Sequence, residues 1–332
     1  MPITCPRSVF RALAGGLIVW WITTGFAQGI SEAPRAERAG PAPVFPDPSA
    51  GPEQPAGFFH TDPVPIDSPA LSGRYPMDSP VTVASSAIMI DARTGQVLYT
   101  KESDVRRPVA STQKLLTALL VVEHGDLDRP VRVTPEDCRV EPTKLGFRPG
   151  EVYTRRQLLA AMLVHSCNDA ALCLARADAG SVYEFSRRMN AKASALGAAE
   201  SHFVNPNGLP VPGQYSTARN MAQIAYAAYH NSTLRGFMRM PGLVFTYSSG
   251  RQRYLEATNR LLLRSTMFTG MKTGYTEASG RCLVSSAASG GRELILVQLG
   301  GTHHLLFDDA ERLLLWGLEM RSRFVQQPPS SY

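Results

Sequence analysis

Arg107-Pro108-Val109-Ala110-Ser111-Thr112-Gln113-Lys114-Leu115-Leu116-Thr117-Ala118-Leu119-Leu120-Val121-Val122-Glu123-His124-Gly125 is the stretch on which the reading of this chain turns. Residues 111–124 predict a long helix closed by Gly125, where a residue without a side chain suits the C-terminal turn. Leu115, Leu116, Ala118, Leu119, Leu120, Val121 and Val122 place apolar groups nearly all round it, the pattern of a buried helix. Lys114 stands in its first turn, three residues after Ser111 and so on the same face. The bland reading is a serine cap followed by a solvated lysine. On so apolar a helix that would strand a charge, which costs free energy. The chemical reading is a weak nucleophile beside a neutral amine that can take its proton. A helix start also directs unpaired N–H groups and the positive dipole end at developing negative charge.

Outward from this helix the pattern alternates. Upstream, Ala87-Ile88-Met89-Ile90-Asp91-Ala92 and Gln96-Val97-Leu98-Tyr99-Thr100-Lys101 flank Arg93-Thr94-Gly95, a β-hairpin signal. Downstream, Thr154 with Gln157 and Ser181 with Glu184 form capping boxes that open helices. Ser216 or Thr217 caps another running to about residue 230. Strands over 282–289 and 292–299 meet at Gly290-Gly291, and Asp308 or Asp309 starts a last helix. Strands, a helical block, then strands and a closing helix predict an α+β fold, an antiparallel sheet flanked by helices with an all-helical subdomain.

Three motifs stand in order: Ser111-Thr112-Gln113-Lys114, Ser166-Cys167-Asn168 and Lys272-Thr273-Gly274. The first two are each expected about once by chance in a chain of this length, the third far less often. Lysine usage sharpens the signal. Five lysines stand against 29 arginines, and two of the five fall in these motifs. Arginine keeps its proton in a protein, whereas a buried lysine beside another cation can lose it.

These residues resemble a family. The chain is similar to the serine-type D-alanyl-D-alanine carboxypeptidases, the low-molecular-mass penicillin-binding proteins of the penicillin-binding/β-lactamase superfamily, whose three-motif set is a known catalytic signature. The resemblance spans about residues 82–320. It includes Ile90-Asp91-Ala92-Arg93-Thr94-Gly95, Ser166-Cys167-Asn168-Asp169-Ala170, Asn205-Pro206-Asn207-Gly208-Leu209, Gly270-Met271-Lys272-Thr273-Gly274-Tyr275-Thr276 and Leu315-Trp316-Gly317. It implies a β-lactamase/transpeptidase-like fold and no metal or other cofactor. Peptidoglycan stem peptides are the implied substrates, and β-lactams the implied inhibitors.

The resemblance also implies roles. Ser111 is the acylated nucleophile and Lys114 its base; Ser166 and Asn168 relay the leaving-group proton and hold the substrate amide. Lys272 keeps Lys114 neutral and attracts the substrate carboxylate, and Thr273 hydrogen-bonds it. Gly274 and Tyr275 complete the substrate strand, with the N–H groups of Ser111 and Tyr275 as oxyanion hole. Two departures stand out. Cys167 occupies a place usually held by Gly or Ala, either as a small hydrophobe or as an oxidisable thiol. Thr302-His303-His304 stands where the family often carries a carboxylate-binding arginine.

Composition and the chain ends bound the rest. Of 332 residues, 44% are hydrophobic and 19% charged, a globular balance, and the net charge of +6 is scattered, which argues against nucleic acid as a partner. No C-x-x-C or H-E-x-x-H occurs, which excludes zinc ribbons, thioredoxin-type redox pairs and zincins. Arg7 and Arg11 precede an apolar stretch over residues 12–22 and small residues at Gly25 and Ala27. Residues 1–27 therefore read as a secretory leader, the rival being an uncleaved anchor and the one route to a membrane. Either way the body is expected in the periplasm or cell envelope. Residues 28–80 are proline-rich and expected to be a disordered spacer. The catalytic domain is expected over 81–322, with a short tail at 323–332. Two rival functions remain: endopeptidase cleavage of cross-links by the same site, and a catalytically silent wall-binding or β-lactam-sensing module.

Overall fold

Strand alternation builds the centre of the molecule. In β1 (Ser86–Asp91), Ile88 and Ile90 point to one face of a sheet while Ala87 and Met89 point to the other. With β2 (Val97–Lys101) it forms the predicted hairpin. The 3₁₀ turn Ala110–Gln113 then leads into α1 (Lys114–Glu123). Two short ribbons follow, β3 (Pro130–Arg132) with β4 (Val152–Thr154) and β5 (Gly242–Thr246) with β6 (Gln252–Glu256). Between the ribbons lie α2 (Arg155–Val164), α3 (Asn168–Ala179), α4 (Val182–Ala195), α5 (Ala218–His230) and α6 (Ser232–Met238). The chain returns to the sheet as β7 (Phe268–Thr276), β8 (Gly280–Ser289) and β9 (Arg292–Gly301), and ends in α7 (Leu306–Val325). This computed structural model describes Ile66 and residues 79–302 and 305–325, all within one unit, Pro46–Tyr332. Residues 1–27, where a leader is expected, and most of the proline-rich stretch lie outside the described residues. Ile66 is buried in the main core, and its carbonyl accepts from Arg219.

The five-stranded sheet runs β2-β1-β9-β8-β7, antiparallel throughout. Both of its faces are dry. Ile295 and Val297 of β9 join Leu115, Leu116 and Phe185 in the larger core under α1–α6. Leu294 and Leu296, one residue out of phase, pack against Leu313 and Leu314 of α7. The expected architecture is therefore present, a sheet flanked by helices with a helical block inserted between its second and third strands in chain order.

Local signals fared unevenly. Thr154 and Gln157 make a full capping box, each side chain bonded to the other's backbone N–H. At Ser181 only half forms: its hydroxyl accepts from Glu184 N–H with no return bond. Thr217, not Ser216, caps α5, because Ser216 is drawn to Ser201. The last helix starts at Leu306 rather than at Asp308 or Asp309. Those two acids lie in its first turn, and Asp309 accepts from Val83 N–H across the molecule at 2.6 Å. The predicted 111–124 helix also divides. Ser111 sits in a 3₁₀ turn and caps nothing, because Ala110 enters the left-handed region at φ 48° and winds the first turn tighter.

Candidate active site

The helical block and the sheet meet at Ser111. Gly274 of β7 lies so close to the 3₁₀ turn that a β-carbon there would stand 2.8 Å from the Ser111 nitrogen and 2.9 Å from the Ala110 β-carbon. From the opposite side the turn at residues 205–209 grips the same segment. Gly208, at φ 85°, seats its α-carbon where a β-carbon would meet the Ala110 carbonyl at 2.1 Å. Gln113 and Thr117 donate to the carbonyls of Asn205 and Pro206. The Ser111 turn is thus held between two glycines, neither replaceable without moving backbone.

Lys114 is fully buried, and its Nζ has three neighbours: Ser111 Oγ at 2.7 Å, Asn168 Oδ1 at 2.7 Å and the Asn207 carbonyl oxygen at 2.6 Å. The last two can only accept. A neutral amine has two N–H donors, which those oxygens consume, leaving its lone pair for the Ser111 hydroxyl. Burial first, and the charge of Lys272 second, push Lys114 well below the usual lysine range. In the neutral form that this favours, the lone pair faces the Ser111 hydroxyl, which also lies 3.2 Å from the Asn207 carbonyl oxygen. Lys272 is buried as well, donates to the Thr273 carbonyl at 2.8 Å, and is drawn down to about 7 by burial.

Asn168 opens α3 and links Lys114 of α1 to the loop at Pro142, its Nδ2 donating to the Pro142 carbonyl at 2.6 Å. Ser166 stands on the α2–α3 turn at φ 67°, a strained position of the sort that gathers at reactive sites. Its hydroxyl has no protein partner among the described residues, so it is free for a substrate. Thr273 donates to Thr258 Oγ1 at 2.6 Å, so the unspent hydroxyl hydrogen is that of Thr258, and Thr273 can give its own to a carboxylate only when it accepts from Thr258 instead. Tyr275 is 55% exposed at the open edge of β7. The structure therefore brings Ser111, Lys114 and Asn168 into one hydrogen-bonded group, with Lys272, Thr273 and Gly274 on the strand beside it. A cavity of about 330 Å³ opens beside the Ser111 turn, walled by residues 108–110, Gly208, Pro210 and Thr276 and by no charged side chain.

Three participants escaped the sequence reading. The Asn207 carbonyl holds the Lys114 amine, yet a backbone group leaves no side-chain signature. Asp169, fully buried, accepts from the N–H groups of Leu145 and Gly146 and so fixes the loop over α3. Thr258 supplies the hydroxyl beside Thr273. Asn207 and Asp169 lay within stretches that the resemblance marked, without a role, and Thr258 lay outside them. Cys167 is buried, and burial pushes its thiol up to about 12, as befits a small apolar filler. Cys138, Cys167, Cys173 and Cys282 are all unpaired thiols. His303 and His304 lie outside the described residues. No group of three metal-ligating side chains occurs among those described.

Comparison with known proteins bears on this geometry. Residues 76–303 match the family model described as D-alanyl-D-alanine carboxypeptidase. The D-alanyl-D-alanine carboxypeptidase DacB2 of Mycobacterium tuberculosis is 37% identical over 71% of this chain and 83% of its own. A D-alanyl-D-alanine endopeptidase of Escherichia coli is 32% identical over 71% and 78%. Among solved structures, a D-alanyl-D-alanine carboxypeptidase from M. tuberculosis H37Rv superposes with a TM-score of 0.70 at 34% identity, covering 79% of this chain and 97% of that one. The Streptomyces K15 DD-transpeptidase gives 0.69 at 29%, over 72% and 98%. A chain whose predicted motifs converge on a hydrogen-bonded serine–lysine–asparagine group, and which matches these proteins across its folded part, belongs to the D-alanyl-D-alanine carboxypeptidase family.

Proposed function

We propose that this protein is a serine D,D-carboxypeptidase that removes the terminal D-alanine from peptidoglycan stem pentapeptides, and that Ser111 carries the acyl group. The observation behind this is the Lys114 amine, poised at 2.7 Å from the Ser111 hydroxyl with both of its own hydrogens committed to carbonyls. Lys114 takes the hydroxyl proton as Oγ attacks the penultimate D-alanine carbonyl. The N–H groups of Ser111 and Tyr275 receive the oxyanion, and the Gly274 contact that brings β7 against the turn supports this pairing. Ser166 passes the proton to the departing D-alanine amine, and Asn168 orients the substrate amide. Water then hydrolyses the ester: Lys114 takes a proton from the attacking water and passes it to Ser111 Oγ as that oxygen leaves, which restores the neutral amine and the hydroxyl. Lys272 and Thr273 face the terminal carboxylate. A β-lactam, cleaved at the equivalent bond, leaves the same ester on Ser111 and inhibits.

Export belongs to the proposal: Arg7 and Arg11 ahead of the apolar stretch support a leader or a retained anchor that delivers the enzyme to the cell envelope. No described helix is long and apolar enough to cross a membrane. Organisation as a leader, a spacer over 28–80 and a catalytic domain over 81–322 is proposed likewise. A cross-link offers the same bond to the same site, so endopeptidase action stands as the second reading, favoured by the likeness to the E. coli endopeptidase. Both readings are separated by incubating the protein and its Ser111→Ala variant with monomeric pentapeptide and cross-linked muropeptides, followed by mass spectrometry. Loss of one alanine from the monomer, absent in the variant, is the expected result. Cleavage of dimers alone would favour the endopeptidase, and covalent retention of penicillin without turnover of either would favour a silent sensor.

A further inference from the structure

The substrate of the proposed reaction ends in a carboxylate, and its recognition needs a cation that stays charged. Lys272 is enclosed and spends a hydrogen on the Thr273 carbonyl. Arg281, near the start of β8, is the other candidate. Its register partners are Tyr275 on β7 and Gly301 on β9, and the β8–β9 pairing shifts between Arg281 and Leu283. Bulges of this sort re-aim a side chain and are frequent beside active sites. Paired residues share a face, and so do residues two apart on one strand, so Thr273, Tyr275 and Arg281 lie together. Thr273 is the diagonal neighbour of Arg281, about 7–8 Å away, a span that a long side chain covers.

The guanidinium stacks over the Tyr275 ring at 4.8 Å, at the open edge of the sheet. No hydrogen bond or ion pair holds it among the described residues, and its Nε is buried without a partner. Arg155, Arg176, Arg219 and Arg264 are all tied to carboxylates. A partly buried guanidinium kept in place by one ring, with its donors unspent, is costly unless an anion comes to it. Its planar fork matches a carboxylate.

We propose that Arg281 binds the terminal carboxylate of the peptide, and the carboxylate of a β-lactam, together with the Thr273 hydroxyl. This rests on the reading of the site given above. The test compares the parent protein, Arg281→Ala and Arg281→Lys on one peptide ending in D-alanyl-D-alanine, presented either as the free carboxylate or as the carboxamide. The parent is expected to prefer the carboxylate. Arg281→Ala should lose about 10- to 100-fold in kcat/KM on it, through KM, the size of one charged contact. The carboxamide should be cleaved by parent and variant at about the same rate, and Arg281→Lys should recover part of the loss. An equal loss on both peptides, no loss on either, or a parent indifferent to the carboxylate overturns the assignment. A parent that releases no D-alanine, or a Ser111→Ala variant that still does, fails the reading of the site instead.

Discussion

Replacing Gly274 by alanine tests whether the contact between β7 and the nucleophile's turn sets the geometry of acylation. The added methyl would stand 2.8 Å from the Ser111 nitrogen, 2.9 Å from the Ala110 β-carbon and 3.1 Å from the Thr112 nitrogen. Ordinary contact lies near 3.5 Å, so strand and turn must part by roughly 0.6 Å. Most of what the methyl meets is backbone, and no side-chain rotation relieves it. The Ser111 N–H would then leave the narrow window, about 2.7–3.1 Å, in which a donor stabilises an oxyanion. A misplacement of this order costs about 100-fold in rate, and overpacking adds about 1–3 kcal/mol of instability. The assay is the second-order rate of covalent labelling by a fluorescent penicillin, with thermal melting alongside. Gly250→Ala is the control: nothing lies within 4 Å of its added methyl, but φ is 82°. It should lose about 1–2 kcal/mol of stability and no labelling rate. Labelling of Gly274→Ala within about threefold of the parent would refute the argument, since an acylation step that tolerates the shift does not depend on this N–H.

Lys272→Met should raise the melting temperature at pH 7 while abolishing efficient acylation. Burial holds this lysine at about 7 when folded against 10.5 in the open chain, so between those values the unfolded state binds more protons. The cost to stability is thus largest below pH 7 and fades toward pH 10.5, and the gain from the substitution should fade with it; an unchanged or lowered melting point at pH 7 would contradict this. Asp178→Ala strands Arg155, the two side chains being 2% and 1% exposed and 2.8 Å apart. Urea unfolding should register a loss of about 3–5 kcal/mol, and a loss below about 1 would mean that the ion pair is not a buried one in solution. With its thiol raised to about 12, Cys167 should resist a thiol reagent at pH 8 until the protein is denatured. Peroxide should then inactivate parent and Cys167→Ala alike; protection by the substitution would restore the oxidisable-thiol reading.

What the sequence disclosed follows from which interactions are local. The β1–β2 hairpin, the Thr154 cap and the strands around Gly290 are short-range patterns, and each is found where it was read. Lys114 was legible because a charge on an apolar helix is an anomaly that demands a chemical reason. The 3₁₀ turn at Ser111 was not, since it depends on the distant loop at residues 205–209 pressing on Ala110. The ribbons β3–β4 and β5–β6 are three to five residues a strand, too short for alternation to speak. Asn207 acts through a carbonyl and Asp169 through the loop it ties down, so neither carries chemistry in its residue type. Arg281 gains meaning only from the register that sets it opposite Tyr275.

The order of the sheet has a consequence for assembly. Ser111 belongs to the front of the chain and the Lys272 strand to the back, and they are joined because β1 pairs with β9, Ser86 opposite Leu299. Closing so long a loop is thermodynamically mild, each doubling of length adding only about 0.6 kcal/mol. Kinetically it is late, because non-local strand pairing rewards the chain only after that entropy has been spent. A nascent or partly threaded chain therefore holds a serine and a lysine but no oxyanion site. Catalytic competence arrives in one step, when the last strands dock.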